Sequence, residues 1–126
     1  MMKVYMFLSL FLLVNLCFQC DCDNDDLEDV SCFEFDQRQC AGDEWANEIP
    51  ISDTEEVREQ KMKTYLESKD IEVNSVNLVL NYHDGVCEAC YICPEEHRFF
   101  VEINKEDQGK LEELDLLNLG FSDCGG

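Results

Sequence analysis

Positive charge is what this chain lacks most. Nine lysines and arginines face 29 aspartates and glutamates, leaving a formal net charge of −20. A polyanion repels phosphate backbones, which excludes nucleic acid as a partner, and it disfavours anionic membrane surfaces. Basic proteins or divalent cations are the partners such a field attracts, and the same charge keeps an exported protein in solution. Histidine is scarce as well, with His83 and His97 the only two. No Ser-His-Asp order, nucleophile elbow, phosphate loop or HExxH pattern occurs, so no catalytic constellation stands out and no enzyme is expected. Long apolar runs are missing too. The most apolar stretch, residues 4–16, has thirteen residues, short of the roughly 20 that a membrane-spanning helix needs.

That short stretch carries its own message. Lys3 precedes it, and no further charge appears before Asp21. A charged start, a brief apolar run and a polar switch describe a secretory signal, which places the protein outside the cell or in the cell envelope. The cysteines help to place the cut. There are nine, and removing Cys17 leaves an even eight: Cys20, Cys22, Cys32, Cys40, Cys87, Cys90, Cys93 and Cys124. We therefore expect residues 1–19 to be the signal, with the mature chain starting between Phe18 and Cys20. The run "LLVNLC" followed by "FQCDCDNDD" resembles a bacterial lipoprotein signal. That resemblance implies a lipid anchor on the cysteine ending the apolar run, with an acidic tether behind it. The small residue usual before that cysteine is Leu16 or Gln19 here.

Beyond the signal, two zones differ in composition. Residues 20–48 form an acidic, cysteine-bearing segment; from Asp21 to Glu48 it has eleven acids against one base, Arg38. We read it as an extended or looped segment pinned by Cys22, Cys32 and Cys40, with Phe33, Phe35 and Trp45 covering apolar surface on the body. Residues 49–126 read as a compact domain. Ser52 or Asp53 can cap a helix over residues 54–68, whose apolar face is Val57, Met62, Tyr65 and Leu66. Ile71 and Val73 alternate, then Val76, Leu78, Leu80 and Tyr82 alternate on the other parity, so a bulge is expected near Asn74 and Ser75. Asp84-Gly85 is a tight-turn dipeptide, which predicts an antiparallel hairpin between residues 76–82 and 86–92. "HRFFVEI" gives a third strand. Asn104 caps a last helix with Leu111, Leu114 and Leu117 on one stripe and Gly120 at its end. The expected fold is a small two-layer α+β domain: an antiparallel three-stranded meander flanked by two helices, with the acidic N-terminal segment held on by disulfides.

The stretch "VCEACYICPEEH" concentrates the chemistry. Cys87, Cys90, Cys93 and His97 form a good tetrahedral zinc set by ligand type. The same cysteines have the C-x-x-C spacing of thiol redox sites, although Glu88, Glu95 and Glu96 would raise a thiol pKa rather than lower it. An iron–sulfur pattern fails, because position 97 is His and Pro94 follows the third cysteine directly. An oxidising compartment favours disulfides over either use. A strand would send Cys90 to one layer and Cys87 and Cys93 to the other, with Cys20, Cys22, Cys32, Cys40 and Cys124 as partners. A second constellation, Asp21, Asp23, Asp25 and Asp29, falls at positions 1, 3, 5 and 9 of an EF-hand-like calcium loop. Position 6 is Asp26 where that loop has glycine, and position 12 is Cys32 where it has Glu.

Together these features point to an exported, acidic, disulfide-stabilised binding module for a protein partner, more basic than acidic. Aromatic residues near the turn, Tyr82, His83, Tyr91 and His97, are the expected contact surface. The alternatives are a thiol-redox or zinc protein centred on the cysteine cluster, and an envelope lipoprotein with an acidic spacer.

Overall fold

The computed structural model describes residues 29–85 and 87–124. The expected signal segment therefore lies outside the described residues, as do Cys20, Cys22 and three of the four aspartates of the expected calcium constellation, Asp21, Asp23 and Asp25.

Among the described residues, four strands and two α-helices follow in the order β1 (Val30–Arg38), α1 (Glu55–Glu67), β2 (Val73–Val79), β3 (Pro94–Asn104), α2 (Gln108–Glu112) and β4 (Leu117–Phe121). The strands form one antiparallel sheet in the order β2-β3-β1-β4. This is a small α+β domain with a split βαβ arrangement, in which β3 inserts between β1 and β2.

The sheet corrects two expectations. First, the acidic segment is not merely pinned to the outside of the body by disulfides. Its residues 30–38 form a central strand, with Phe33 opposite Val101 and Phe35 opposite Phe99. The alternation is Phe33 and Phe35 against Glu34 and Asp36, so one face is aromatic and the other acidic. The aromatic face enters the core, and the acids find a cation on the other side. Second, the meander has a different third member. β2 pairs with β3, placing Val76 opposite Val101 and Leu78 opposite Phe99, and residues 87–93 form a loop. The irregularity expected near Asn74 is there, as a register shift between Val73 and Ser75.

A single core joins both helices to one face of the sheet. It contains Phe33, Phe35, Trp45, Met62, Leu66, Leu78, Phe99, Ile103 and Leu111 among others. Phe35 stacks on Phe99 with ring centroids 5.5 Å apart, and Trp45 meets Phe99 edge-on at 5.8 Å. Trp45 therefore sits within the core, between sheet and helix, rather than on its surface.

Helix α1 is capped by Thr54, whose Oγ1 accepts from the Val57 N–H at 3.4 Å. Asp53, one of the expected caps, pairs with Lys61 instead. The buried face is Arg58, Met62, Tyr65 and Leu66, spaced as one helical stripe, and Val57 is 43% exposed. Arg58 lies fully inside, donates to Gln37 Oε1 at 2.7 Å and sits 5.8 Å from the Phe99 centroid. Burial pulls its pKa down from the usual arginine value, against the fields of Glu95, Asp53 and Glu55.

The last helix is shorter than its leucine stripe suggested. Asn104 does cap the turn that leads into it, accepting from Glu106 N–H at 3.1 Å. The helix stops at Glu112, and Leu117 and Gly120 belong to β4, paired with Asp36 and Glu34 of β1. The free edge of a central strand must find hydrogen-bond partners, and these residues supply them.

Candidate functional site: a braced loop and the open sheet face

The residues between β2 and β3 form a long loop rather than a tight turn. Tyr82 N and His83 N both donate to Glu96 O, at 2.6 and 3.2 Å, and fold the loop back over β3. Asp84 and Gly85 are exposed, and among the described residues no glycine has a positive φ, so the expected hairpin turn is absent. The disulfides explain why. Cys87 bonds Cys93, with a Cα–Cα distance of 5.4 Å across a sequence separation of six. A strand of that length would hold these atoms roughly 20 Å apart. The two cysteines expected to share a face thus bond each other across a compact loop. Cys90 bonds Cys40 and fixes the loop to the end of β1, while Cys32 bonds Cys124.

Polar contacts complete the brace. Cys93 N donates to Ala89 O at 2.9 Å, and Gln39 N donates to Cys93 O at 3.0 Å. Arg38, the base of the acidic zone, donates to Tyr91 O at 3.1 Å, to Asp43 Oδ1 at 2.8 Å and to Asp115 Oδ1 at 2.8 Å. Burial opposes its charge, but the bonds to Asp115 and Asp43 outweigh it and raise the Arg38 pKa. Gly42 allows the close approach: a Cβ there would lie 3.1 Å from Cys90 O and 3.2 Å from Tyr91 Cδ1. The loop presents Tyr91 and Ile92, each 74% exposed, from this fixed backbone.

Beside the loop lies the sheet face away from the helices, organised around Asp36. Its side chain is fully buried. Oδ1 accepts from Arg98 Nε at 2.8 Å and faces His83 Nε2 at 2.9 Å. Oδ2 accepts from Arg98 Nη2 at 2.9 Å and from Asn118 Nδ2 at 2.7 Å. Arg98 also reaches Glu34 at 2.8 Å and stacks 4.3 Å from the Tyr82 centroid. Burial pushes the Asp36 pKa up, but hydrogen bonds from Arg98, Asn118 and His83, with the Arg98 charge, hold it below the ordinary aspartate value. A neighbouring carboxylate orients His83, but no nucleophile shares this network among the hydrogen bonds of the described residues.

The expected contact residues therefore separate into three places. Tyr82 and His83 join the Asp36 network, and Tyr91 stands on the braced loop. His97 accepts from Asn81 N at 3.2 Å. Burial and the nearby Arg58 charge lower the His97 pKa, against Glu96, Glu95 and Glu55. Cys87, Cys90 and Cys93 are all bridged, and a bridged sulfur is no thiolate ligand. Asp29, the described member of the calcium constellation, pairs with Lys105 at 3.1 Å. Ile92 was missed by sequence reasoning, although its place beside Tyr91 between two bridged cysteines was a usable signal. Asp36 and Arg98 were also missed; their pairing is visible only through the register that sets them opposite each other.

Among the described residues, no helix is long and apolar enough to cross a membrane. What fold and site define is a small disulfide-stabilised α+β module. No protein-family model, no curated protein and no solved structure matches the chain.

Proposed function

We propose that this protein is an exported, acidic binding module, without catalytic activity or a resident cofactor, whose partner is a basic protein. One observation carries the reading. Tyr91 and Ile92 stand well exposed on a loop held by two disulfides and by Arg38. Large apolar side chains on a rigid backbone lose little conformational freedom on docking, which suits them as interface anchors. The net charge of −20 steers a basic partner towards them.

Exposed residues can be truncated with little effect on folding. Tyr91→Ala/Ile92→Ala is expected to change stability by no more than about 0.5 kcal/mol. The same variant should lose at least about tenfold in retention of a basic partner recovered from the native extracellular medium, since anchor truncations commonly exceed 1.4 kcal/mol. Equal retention by wild type and variant would refute the assignment.

The thiol-redox or zinc alternative keeps one point in its favour: Cys87, Cys90 and Cys93 meet in one loop, so reduction would release three neighbouring thiols. Free-thiol counting with metal analysis on the native protein separates the readings. We expect no free thiol and no zinc. Three or more thiols with one zinc per chain would replace our proposal, and the intact mass would reveal a lipid on the N-terminal cysteine if the lipoprotein alternative holds.

A further inference from the structure

We propose that the groove over Phe100, on the open face of the sheet, receives an arginine or lysine side chain of the basic partner. This deepens the binding-module reading and rests on it. The groove encloses about 350 Å³ between β2, at Ser75, Asn77 and Val79, and the C-terminal tail, at Ser122 and Asp123. It continues past Phe100 towards Glu34 and Phe121 through a further space of about 410 Å³. Its volume is that of a small-ligand site.

The chemistry of the lining selects the occupant. Phe100 offers an aromatic ring, and Glu102 and Asp123 supply carboxylates. Among the described residues neither acid forms a salt bridge; Glu102 has only a 3.4 Å contact from Asn74 Nδ2. The nearby cation, Arg98, is already engaged by Asp36, Glu34 and the Tyr82 ring. The groove thus holds negative charge beside an aromatic ring with no internal cation to answer it. Those are the two features that together bind a guanidinium or ammonium group. Arginine fits better than lysine, because its planar fork can stack on Phe100 while donating to carboxylates.

The far wall is preorganised. The bridge Cys32–Cys124 ties the tail to β1, and Ser122 N donates to Cys32 O at 2.9 Å. The Glu102 carboxylate lies within 4.8 Å of both bridge sulfurs, and Asp123 directly precedes Cys124 in the tail. The other candidate occupants carry the wrong sign. The acidic residues 21–28 and a second copy of the chain are both repelled by this rim.

The test uses the full, natively disulfide-bonded protein and a short neutral-flanked peptide containing one arginine, with its citrulline counterpart as the isosteric neutral control. Binding is followed by backbone amide NMR shifts and by calorimetry. We expect shifts at Phe100, Glu102 and Ser122, and at least tenfold weaker binding of the citrulline peptide. Glu102→Gln/Asp123→Asn should weaken the arginine peptide at least tenfold. Glu106→Gln/Glu113→Gln, an equal change of charge at exposed positions elsewhere, should weaken it less than twofold. Phe100→Leu, which keeps an apolar side chain, should also weaken it. Equal losses in the two double variants, or equal binding of arginine and citrulline, would overturn the groove assignment. Shifts centred on another surface, or a homodimer sealing the groove, would overturn it too. Partner capture lost in the Tyr91/Ile92 variant but kept in Glu102→Gln/Asp123→Asn would leave the binding-module reading standing and remove only this inference.

Discussion

Removing the bridge between Cys32 and Cys124 is expected to lower the unfolding free energy by about 4 to 5 kcal/mol in the chain-entropy model. The two cysteines lie 92 residues apart in sequence, so the bridge withdraws much freedom from the unfolded chain. Domains of this size hold only about 5 to 15 kcal/mol in total, so the variant should lie near the edge of folding at 37 °C. The measurement is urea unfolding of Cys32→Ala/Cys124→Ala against wild type. Cys87→Ala/Cys93→Ala makes the internal comparison. That bridge closes a sequence separation of only six and should cost about 2 kcal/mol by the same relation. If the short ring costs as much as the long one, loop entropy is not what the long bridge supplies. The groove gives a second readout: with its tail wall released, the arginine peptide should bind more weakly even under conditions where the variant remains folded.

The same bridge illustrates what could be read in advance. The sequence sets Cys124 among the partners of the cysteines at 87–93, but it bonds Cys32 instead. That pairing depends on β1 lying in the middle of the sheet, which nothing local records. Helix α1 and strand β3 were legible because each carries its own cap or alternation. The register shift after Val73 was legible because it switches the parity of the apolar residues. Strand β1 was hidden by its acids. The segment shows no sustained strand period in sequence, and nothing local reveals that Arg98, more than sixty residues on, will neutralise Glu34 and Asp36. β4 was hidden by a leucine spacing that suits a helix as well as a strand edge. The loop at 87–93 reads as a strand in sequence because its β-prone residues obey local propensity. Two covalent bonds override that propensity, and no periodicity records them. Arg58 shows the same limit from the other side: its place in the helical stripe was available, but a charge there argued for Val57 instead.

Asp36 is where these threads meet, and its replacement by asparagine should be the most destabilising polar change in the molecule. The carboxylate is fully buried and answers Arg98, Asn118 and His83 together. Asparagine keeps the shape but turns one acceptor into a donor facing Arg98 or Asn118, and it leaves the guanidinium without its main counter-charge. Breaking a buried pair from one side costs about 3 to 5 kcal/mol. The pH dependence gives a signature that a packing defect would not. The folded-state pKa of Asp36 is depressed below its ordinary value. Its contribution is therefore fully present above the unfolded pKa, about 3.9, and is lost as pH falls through the lower folded value. The stability gap between wild type and Asp36→Asn should thus narrow as the pH falls below about 4. Taking the difference cancels the titration of the other carboxylates. A gap that stays constant into strong acid would mean that the fold relies on the shape of Asp36 and not its charge. Because His83 and Asn118 tie the long loop and β4 to the same carboxylate, Asp36→Asn should also loosen both walls of the open face. Amide exchange at residues 82–85 and 117–121 should then rise more than exchange in α1.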